Sequence, residues 1–365
     1  MDNYQTIVGL GRDAIDTPAL LIDLDALERN IKRMADFFAT VPAALRPHTK
    51  THKTPIIARK QIEAGARGIT CAKVGEAEVM VANGVDDVLI ANEVVGATKI
   101  ARLMSLARHA KLTVAVDDPR NVAELSAAAQ AMGATVGVLV EVNVGMNRCG
   151  VEPGEPALQL SRQVLESKGL RYRGLMGYEG HVVAMPDRQQ REAACLKAMK
   201  PLLDTRALVE AAGIPVEVVS GGGTGTYDIT GRLPGVTEIQ AGSYVTMDSA
   251  YGRLNLGFEQ ALTILVTVIS RPSRDRAILD AGMKAMAVDH GTILPKGLPG
   301  ATVAPRLSEE HARLDLVDVD LRPGDKIELI PGHGCTTINL HDQFYGIREG
   351  RVETVWQIAG RGRFR

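Results

Sequence analysis

Arg46-Pro47-His48-Thr49-Lys50-Thr51-His52-Lys53 gathers an arginine, two histidines and two lysines into one short stretch. If residues 45–51 form a strand, alternation puts His48, Lys50 and His52 on one face. A lysine amine flanked by two imidazoles suits a group that must lose its proton and form a Schiff base. The same stretch also reads as a basic, solvated strand end, and these residues alone do not choose between the two.

Two glycine-rich segments suggest a second chemistry. Ser220-Gly221-Gly222-Gly223-Thr224-Gly225-Thr226 and Ala241-Gly242-Ser243-Tyr244 expose bare backbone whose N–H groups can converge on an anion. Thr224, Thr226 and Ser243 add hydroxyls. A tight turn would use the same glycines. No GxxxxGK[ST] motif occurs, which disfavours a nucleoside triphosphate. A phosphate site together with a Schiff-base lysine points to pyridoxal phosphate, PLP. Arg148, in Gly145-Met146-Asn147-Arg148-Cys149-Gly150, could reach the phenolic oxygen of that cofactor, or could be an arginine fixed in its loop by salt bridges.

A third signal lies in Pro331-Gly332-His333-Gly334-Cys335-Thr336-Thr337. In an extended segment His333 and Cys335 project to one side and can share a metal. Imidazole with thiolate favours a zinc-like ion, with manganese as an alternative. Two protein ligands leave positions for water and substrate, the arrangement of a catalytic metal. An HxC pair also arises by chance or for packing. His341 and Asp342 read as supporting or structural residues, His290 and His311 as ordinary loop residues, and His109 and Cys195 as helix positions without a role.

The elements that must position these groups follow a repeating pattern. Strand-like apolar runs at 44–50, 68–73, 87–92, 112–117, 137–143, 173–181, 216–220 and 238–243 alternate with helix-like segments. This predicts an α/β fold, a (β/α)8 TIM-like barrel over residues 25–250. The absence of GxGxxG after the first strand disfavours a doubly wound sheet. From residue 251 strands follow one another without long helices, which predicts a β-rich C-terminal domain over 251–365. The strand at 18–24, followed by a helix capped at Asp25, could pair into that domain, so 1–24 is grouped with it. A barrel builds its site at the C-terminal ends of its strands, with phosphate sites recurring after strands seven and eight. Those ends carry Lys50, His52, Arg148, Tyr178, Gly222, Gly223, Thr224, Gly242, Ser243 and Tyr244.

Bulk properties narrow the function class. With 365 residues the chain has room for two domains. A net charge of −1 and 4% aromatic residues argue against nucleic acid and against an acidic membrane surface. No apolar run of about 18 residues predicts a membrane span. Four cysteines without a CxxC argue against a disulfide framework or a structural zinc knot. No basic start followed by an apolar run opens the chain, so a cytoplasmic setting is the expectation.

The combination resembles the fold-type III PLP enzymes of the D-threonine aldolase and D-serine dehydratase family, related more distantly to alanine racemases. The motifs are RPHTKTHKTP (46–55), GITCAKVGEAEVM (68–80), NEVVG (92–96), GMNRCGV (145–151), SGGGTG (220–225), QAGSY (240–244), ILDAGMKA (278–285) and PGHGCTTINLHD (331–342). The resemblance implies that Lys50, rather than Lys53, holds PLP. It puts Arg148 beside the phenolic oxygen, Tyr178 near the pyridine ring, and 221–225 with 242–244 on the phosphate. It makes His333 and Cys335 ligands of a divalent metal, manganese or zinc, with magnesium a third candidate. It also implies a homodimer and a small D-3-hydroxy amino acid as substrate. Some aldolases of the group carry a carboxylate where this chain has Cys335, and dehydratases a cysteine.

The reaction expected is cleavage of D-threonine to glycine and acetaldehyde, with low specificity at Cβ. The substrate amine displaces Lys50, the metal lowers the pKa of the 3-hydroxyl, and His52 takes its proton directly or through water. Cα–Cβ then breaks, with the carbanion delocalised into the cofactor. The alternative is a D-serine or D-threo-3-hydroxyaspartate dehydratase, in which Lys50 removes the α-proton and the metal takes the leaving hydroxide. A racemase and a non-catalytic PLP carrier rank below these.

Overall fold

The structure, a computed structural model, describes residues 7–365. It divides into two compact units. One comprises the chain up to Arg33, Thr51–Thr54 and Ser243–Arg361; the other comprises Met34–Lys50, Pro55–Gly242 and Gly362–Arg365.

The chain enters through β1 (Ala19–Asp23) and α1 (Leu24–Phe38). Asp23, not Asp25, caps this helix, its Oδ1 accepting from the Ala26 N–H at 2.9 Å. The helix starts two residues earlier than the capping pattern suggests. That frees Asp25 and Glu28 to form ion pairs with Arg348.

The barrel strands are β2 (Ala44–Leu45), β3 (Ile69–Cys71), β4 (Asp87–Glu93), β5 (Lys111–Val116), β6 (Val136–Glu141), β7 (Leu170–Met176), β8 (Val218–Gly221) and β9 (Glu238–Ile239). They run parallel in the order β2-β9-β8-β7-β6-β5-β4-β3. A parallel bridge between His48 and Thr70 joins the two ends of that order and closes the barrel. Helices α2 (Pro55–Glu63), α3 (Val74–Ala82), α4 (Ala97–Ala107), α5 (Pro119–Met132), α6 (Glu155–Glu166), α7 (Arg188–Ala211) and the short α8 (Tyr227–Thr230) fill the crossovers. Parallel strands covered on both faces read as unbroken apolar runs, and every residue of β6 is buried. Leu89, Ala115, Leu139, Met176 and Val218 form one core cluster.

Arg46 begins the basic stretch but serves the barrel. It is buried, with Nε 2.7 Å from Glu238 and Nη1 2.7 Å from Asp87. Burial alone would lower its pKa; the two carboxylates overcome that and raise it. Removing either partner would strand a buried charge.

The β-rich unit contains β10 (Leu262–Ser273), β11 (Arg276–Leu279), β12 (Leu294–Pro295), β13 (Ala301–Val303), β14 (Ala312–Leu316), β15 (Lys326–Ile330), β16 (Gln343–Arg348) and β17 (Arg351–Gln357). β1 lies between β10, to which it is antiparallel, and β16, to which it is parallel, as the early strand was expected to pair. Ile15, Ala19, Leu21, Leu265 and Val352 pack as its core. Short helices α9 (Ser249–Gly252) and α10 (Gly334–Ile338) complete it. β12 and β13 escape sequence reading because two or three residues cannot display alternation. Among the described residues no helix is long and apolar enough to cross a membrane, and no cysteine forms a disulfide.

Candidate active site

The strand leading to Lys50 extends as a hydrogen-bonded edge beyond β2. Thr70 donates its N–H to Pro47 at 2.8 Å, Thr49 donates to Thr70 at 2.8 Å, and His48 donates to Ala241 at 3.1 Å. There the strand stops, and residues 49–52 form a turn. Alternation therefore does not put His48, Lys50 and His52 on one strand face. The Thr49 hydroxyl reaches Glu76 at 2.6 Å and the Thr70 carbonyl at 3.0 Å, so its side chain leaves the ladder and initiates the turn. Lys50 is half-buried within it.

Both histidines are engaged at Nδ1. His48 Nδ1 accepts from the Lys50 N–H at 3.4 Å, and the fully buried His52 accepts from the Thr54 N–H at 3.1 Å. A neutral imidazole accepting at Nδ1 carries its proton on Nε2. In this arrangement His52 is a donor at Nε2, so taking a proton requires release of Thr54 or a turn of the ring. Lys53 is buried at φ +52° with Nζ 3.4 Å from the Gly360 carbonyl.

At the other strand ends of the barrel, Arg148 and Tyr178 meet. The guanidinium lies 5.6 Å above the ring. Asn143 holds the arginine loop by accepting from the N–H groups of Gly145 at 3.0 Å and Asn147 at 3.1 Å. Gly223 faces the same tyrosine, and a Cβ there would stand 3.4 Å from the ring edge and the hydroxyl.

Residues 221–225 are organised by Glu179, which sequence reading passed over. Fully buried, it accepts from Thr226 Oγ1 at 2.8 Å, Thr230 Oγ1 at 2.6 Å and the Gly222 N–H at 3.1 Å. The Gly223 N–H goes to Thr226 Oγ1 at 3.2 Å. Thr226 thus builds the loop from within, where its hydroxyl was expected to face an anion. Gly225 must be glycine, since a Cβ would fall 1.8 Å from the Val183 carbonyl oxygen. Cys195, on α7, lies 3.1 Å from Thr230 Oγ1, and burial pushes its thiol up to about 12.

Beneath Arg148 three carboxylates end adjacent strands. Glu141 is buried, and burial followed by the neighbouring Glu93 pushes its pKa up to about 8. Asp117 accepts from the Gly150 N–H at 3.0 Å and is also shifted up, first by burial. Arg148 Nη2 stands 4.0 Å from Glu141 Oε1. Burial, then Glu93 and Glu141, raise the Cys149 thiol to about 11.

In the β-rich unit, His333 opens α10 and Cys335 lies in its first turn. The Cys335 thiol lies 3.5 Å from Thr51 Oγ1 and 4.0 Å from Ser243 Oγ. His333 Nδ1 lies 2.7 Å from Asp289 Oδ2, and the His290 ring centroid is 5.3 Å from that of His333. His290, expected to be an ordinary loop residue, lies in a loop, where its ligand atom and those of Asp289 and His333 are within 4.8 Å of one another. His341 stands apart, its Nε2 2.9 Å from the Ala285 carbonyl, and Asp342 pairs with Arg361.

Comparison with known proteins adds a second line. Residues 22–250 match the family described as alanine racemase, N-terminal domain, and residues 261–347 match a serine dehydratase domain family. A D-threonine aldolase from Arthrobacter sp. is 40% identical over 354 residues, covering 95% of this chain and 93% of its own. The crystal structure of D-threonine aldolase from Filomicrobium marinum superposes with a TM-score of 0.95 at 42% identity, covering 97% of this chain and 98% of that one. D-threo-3-hydroxyaspartate dehydratase from Delftia sp. HT23 superposes with a TM-score of 0.86 at 28% identity, covering 95% and 98%. A cysteine-to-alanine variant of a D-threo-3-hydroxyaspartate dehydratase is known in a metal-free form.

Proposed function

Since the chain belongs to the D-threonine aldolase and D-serine dehydratase family, built on the alanine racemase barrel, we propose that it is a PLP- and metal-dependent lyase cleaving D-threonine to glycine and acetaldehyde. The observation that carries this is full-length likeness to two D-threonine aldolases, at 40% and 42% identity, against 28% to the dehydratase.

The residues fit the two groups. Lys50 offers an amine in a tethered turn, Arg148 and Tyr178 present a cation and a phenol together, and bare Gly223 leaves open the space against the tyrosine. Lys50 would hold the cofactor carbon and Arg148 its phenolic oxygen, with Tyr178 near its pyridine ring. Gly222, Gly223, Thr224, Gly242, Ser243 and Tyr244 would surround the phosphate. His333 and Cys335 supply an imidazole and a thiol two residues apart at the start of α10, a borderline-soft donor set that suits zinc and accommodates manganese. When bound, PLP delocalises charge developing at Cα, and a divalent cation acidifies a bound hydroxyl.

The work left to side chains is proton movement and orientation. His52 takes the proton of the substrate hydroxyl, after its Nδ1 leaves the Thr54 N–H. Arg148, charged and stacked on Tyr178, keeps negative charge on the face it meets. Lys50 would supply the amine that holds the cofactor between turnovers. We also propose a homodimer, which light scattering of the purified protein tests.

Cys335 favours one second reading, the D-serine or D-threo-3-hydroxyaspartate dehydratase, in which Lys50 removes the α-proton. Product analysis separates them. Enzyme with PLP and Mn2+ is given D-threonine and D-serine in parallel. Glycine with acetaldehyde is the expected result; keto acid with ammonia would replace the aldolase by the dehydratase.

A further inference from the structure

The HxC pair is accompanied by an acidic residue that no part of the proposed reaction uses. Asp289 Oδ2 lies 2.7 Å from His333 Nδ1, and its other oxygen accepts from Thr336 Oγ1 at 2.8 Å. The segment carrying Asp289 is joined to α10 a second time, by the Ala287 N–H to Thr337 Oγ1 at 3.2 Å. The chain after it presses against the turn before His333, since a Cβ on Gly291 would fall 2.4 Å from the Gly332 carbonyl oxygen. On the far side, buried Asp248 accepts from the Gly334 N–H at 2.9 Å and fixes the start of α10. The carboxylate is thus held at one oxygen and aimed with the other.

We propose that Asp289, locked by Thr336, is the positioning residue that orients His333 as a metal ligand. An imidazole donating Nδ1–H to a carboxylate has its lone pair on Nε2, and the carboxylate increases that nitrogen's basicity. His333 then presents Nε2 in one fixed direction, with its backbone pinned by Asp248 at the start of α10. Thr336 immediately follows Cys335, so one short motif encodes both ligands and the clamp on the residue that orients the first. This inference rests on the metal reading of His333 and Cys335.

The test is Mn2+ binding to the full-length, PLP-loaded protein after chelator treatment, counted by loss of the free-ion EPR signal. Asp289→Asn should weaken Mn2+ binding by about 10- to 100-fold, the range for removing such an outer partner. Thr336→Val should weaken it by a smaller factor, since the Thr336 hydroxyl acts through its bond to Asp289. Melting temperature in chelator and the cofactor absorbance should match the parent for both variants, which separates positioning from general damage. Cys335→Ala is the control. Loss of binding in Cys335→Ala with unchanged binding in both Asp289→Asn and Thr336→Val would overturn the Asp289 assignment alone. Unchanged binding in Cys335→Ala would overturn the metal reading and this inference with it.

Discussion

Thr49 donates its hydroxyl to Glu76 Oε1 at 2.6 Å, one residue before Lys50. Glu76 is fully buried, and its second oxygen accepts from the Ala72 N–H at 2.8 Å, ahead of α3. A carboxylate gripped on both oxygens ties the lysine turn to the next barrel unit. Thr49→Val should cost about 1–3 kcal/mol, because it removes a donor from a buried acceptor. It should also lower kcat by up to ~100-fold through a displaced Lys50. Urea unfolding and steady-state kinetics on D-threonine check the two effects. Lost stability with unchanged kcat would show that the turn does not need this bond.

Lys50 and Lys53 differ in ways that predict which one carries the cofactor. Lys53 is buried with a positive φ and faces the Gly360 carbonyl, whose own N–H returns to the Lys53 carbonyl at 2.8 Å. That is a structural lysine. Borohydride reduction followed by peptide mapping should find the adduct on Lys50 only. Lys50→Ala should lose both the adduct and, by about 10⁴-fold or more, the rate, as expected for a covalent participant. An adduct on Lys53 in the parent protein would reverse the assignment.

Glu179 is predicted to control cofactor retention without touching the cofactor. It gathers Thr226, Thr230 and the Gly222 N–H onto one buried carboxylate beyond the end of β7. Glu179→Gln keeps the volume but turns an NH2 toward groups that are themselves donors, a cost of about 1–3 kcal/mol. The loop of residues 221–225 should loosen, and PLP should dissociate at least about 10-fold more readily, equivalent to ~1.4 kcal/mol. Absorbance after exhaustive dialysis measures this. Full retention would mean that the loop keeps its shape without the carboxylate.

What could be read from the sequence was whatever repeats or alternates. Eight apolar runs separated by helical patterns leave few folds open, and all eight barrel strands were anticipated, β6 most plainly because it is buried throughout. The glycines of 221–225 and the HxC pair stand out because their residue types are rare in such density. The supporting carboxylates were not legible. Glu76, Glu141, Glu179 and Asp289 look like ordinary acidic residues until the fold brings them under a loop or a ring. Thr226 was misread for the same reason, since a hydroxyl in a glycine-rich loop can face outward to an anion or inward to Glu179. His52 was placed by strand alternation, but the ladder ends at Thr49, where a side-chain bond to Glu76 competes with the sheet.

Glu141 predicts the pH dependence of stability. It faces Glu93, Asp117, Cys149 and Arg148, and only Arg148 opposes the upward shift to about 8 from the ordinary 4.5. The folded state therefore holds a proton that the unfolded chain releases near pH 4.5. Between these values the unfolded state binds fewer protons, so stability falls as pH rises. The contribution is complete below the ordinary carboxylate range and is lost as pH passes through about 8. Glu141→Gln keeps a neutral donor for Glu93 and removes the titration. The parent should lose on the order of a few kcal/mol from this group between pH 5 and pH 8, and the variant should not. Urea midpoints at three pH values across that window measure the difference. Parallel curves would place the proton elsewhere. A converging pair at low pH and a diverging pair at high pH would place it on Glu141, directly beneath Arg148, where its loss also adds negative charge under that guanidinium.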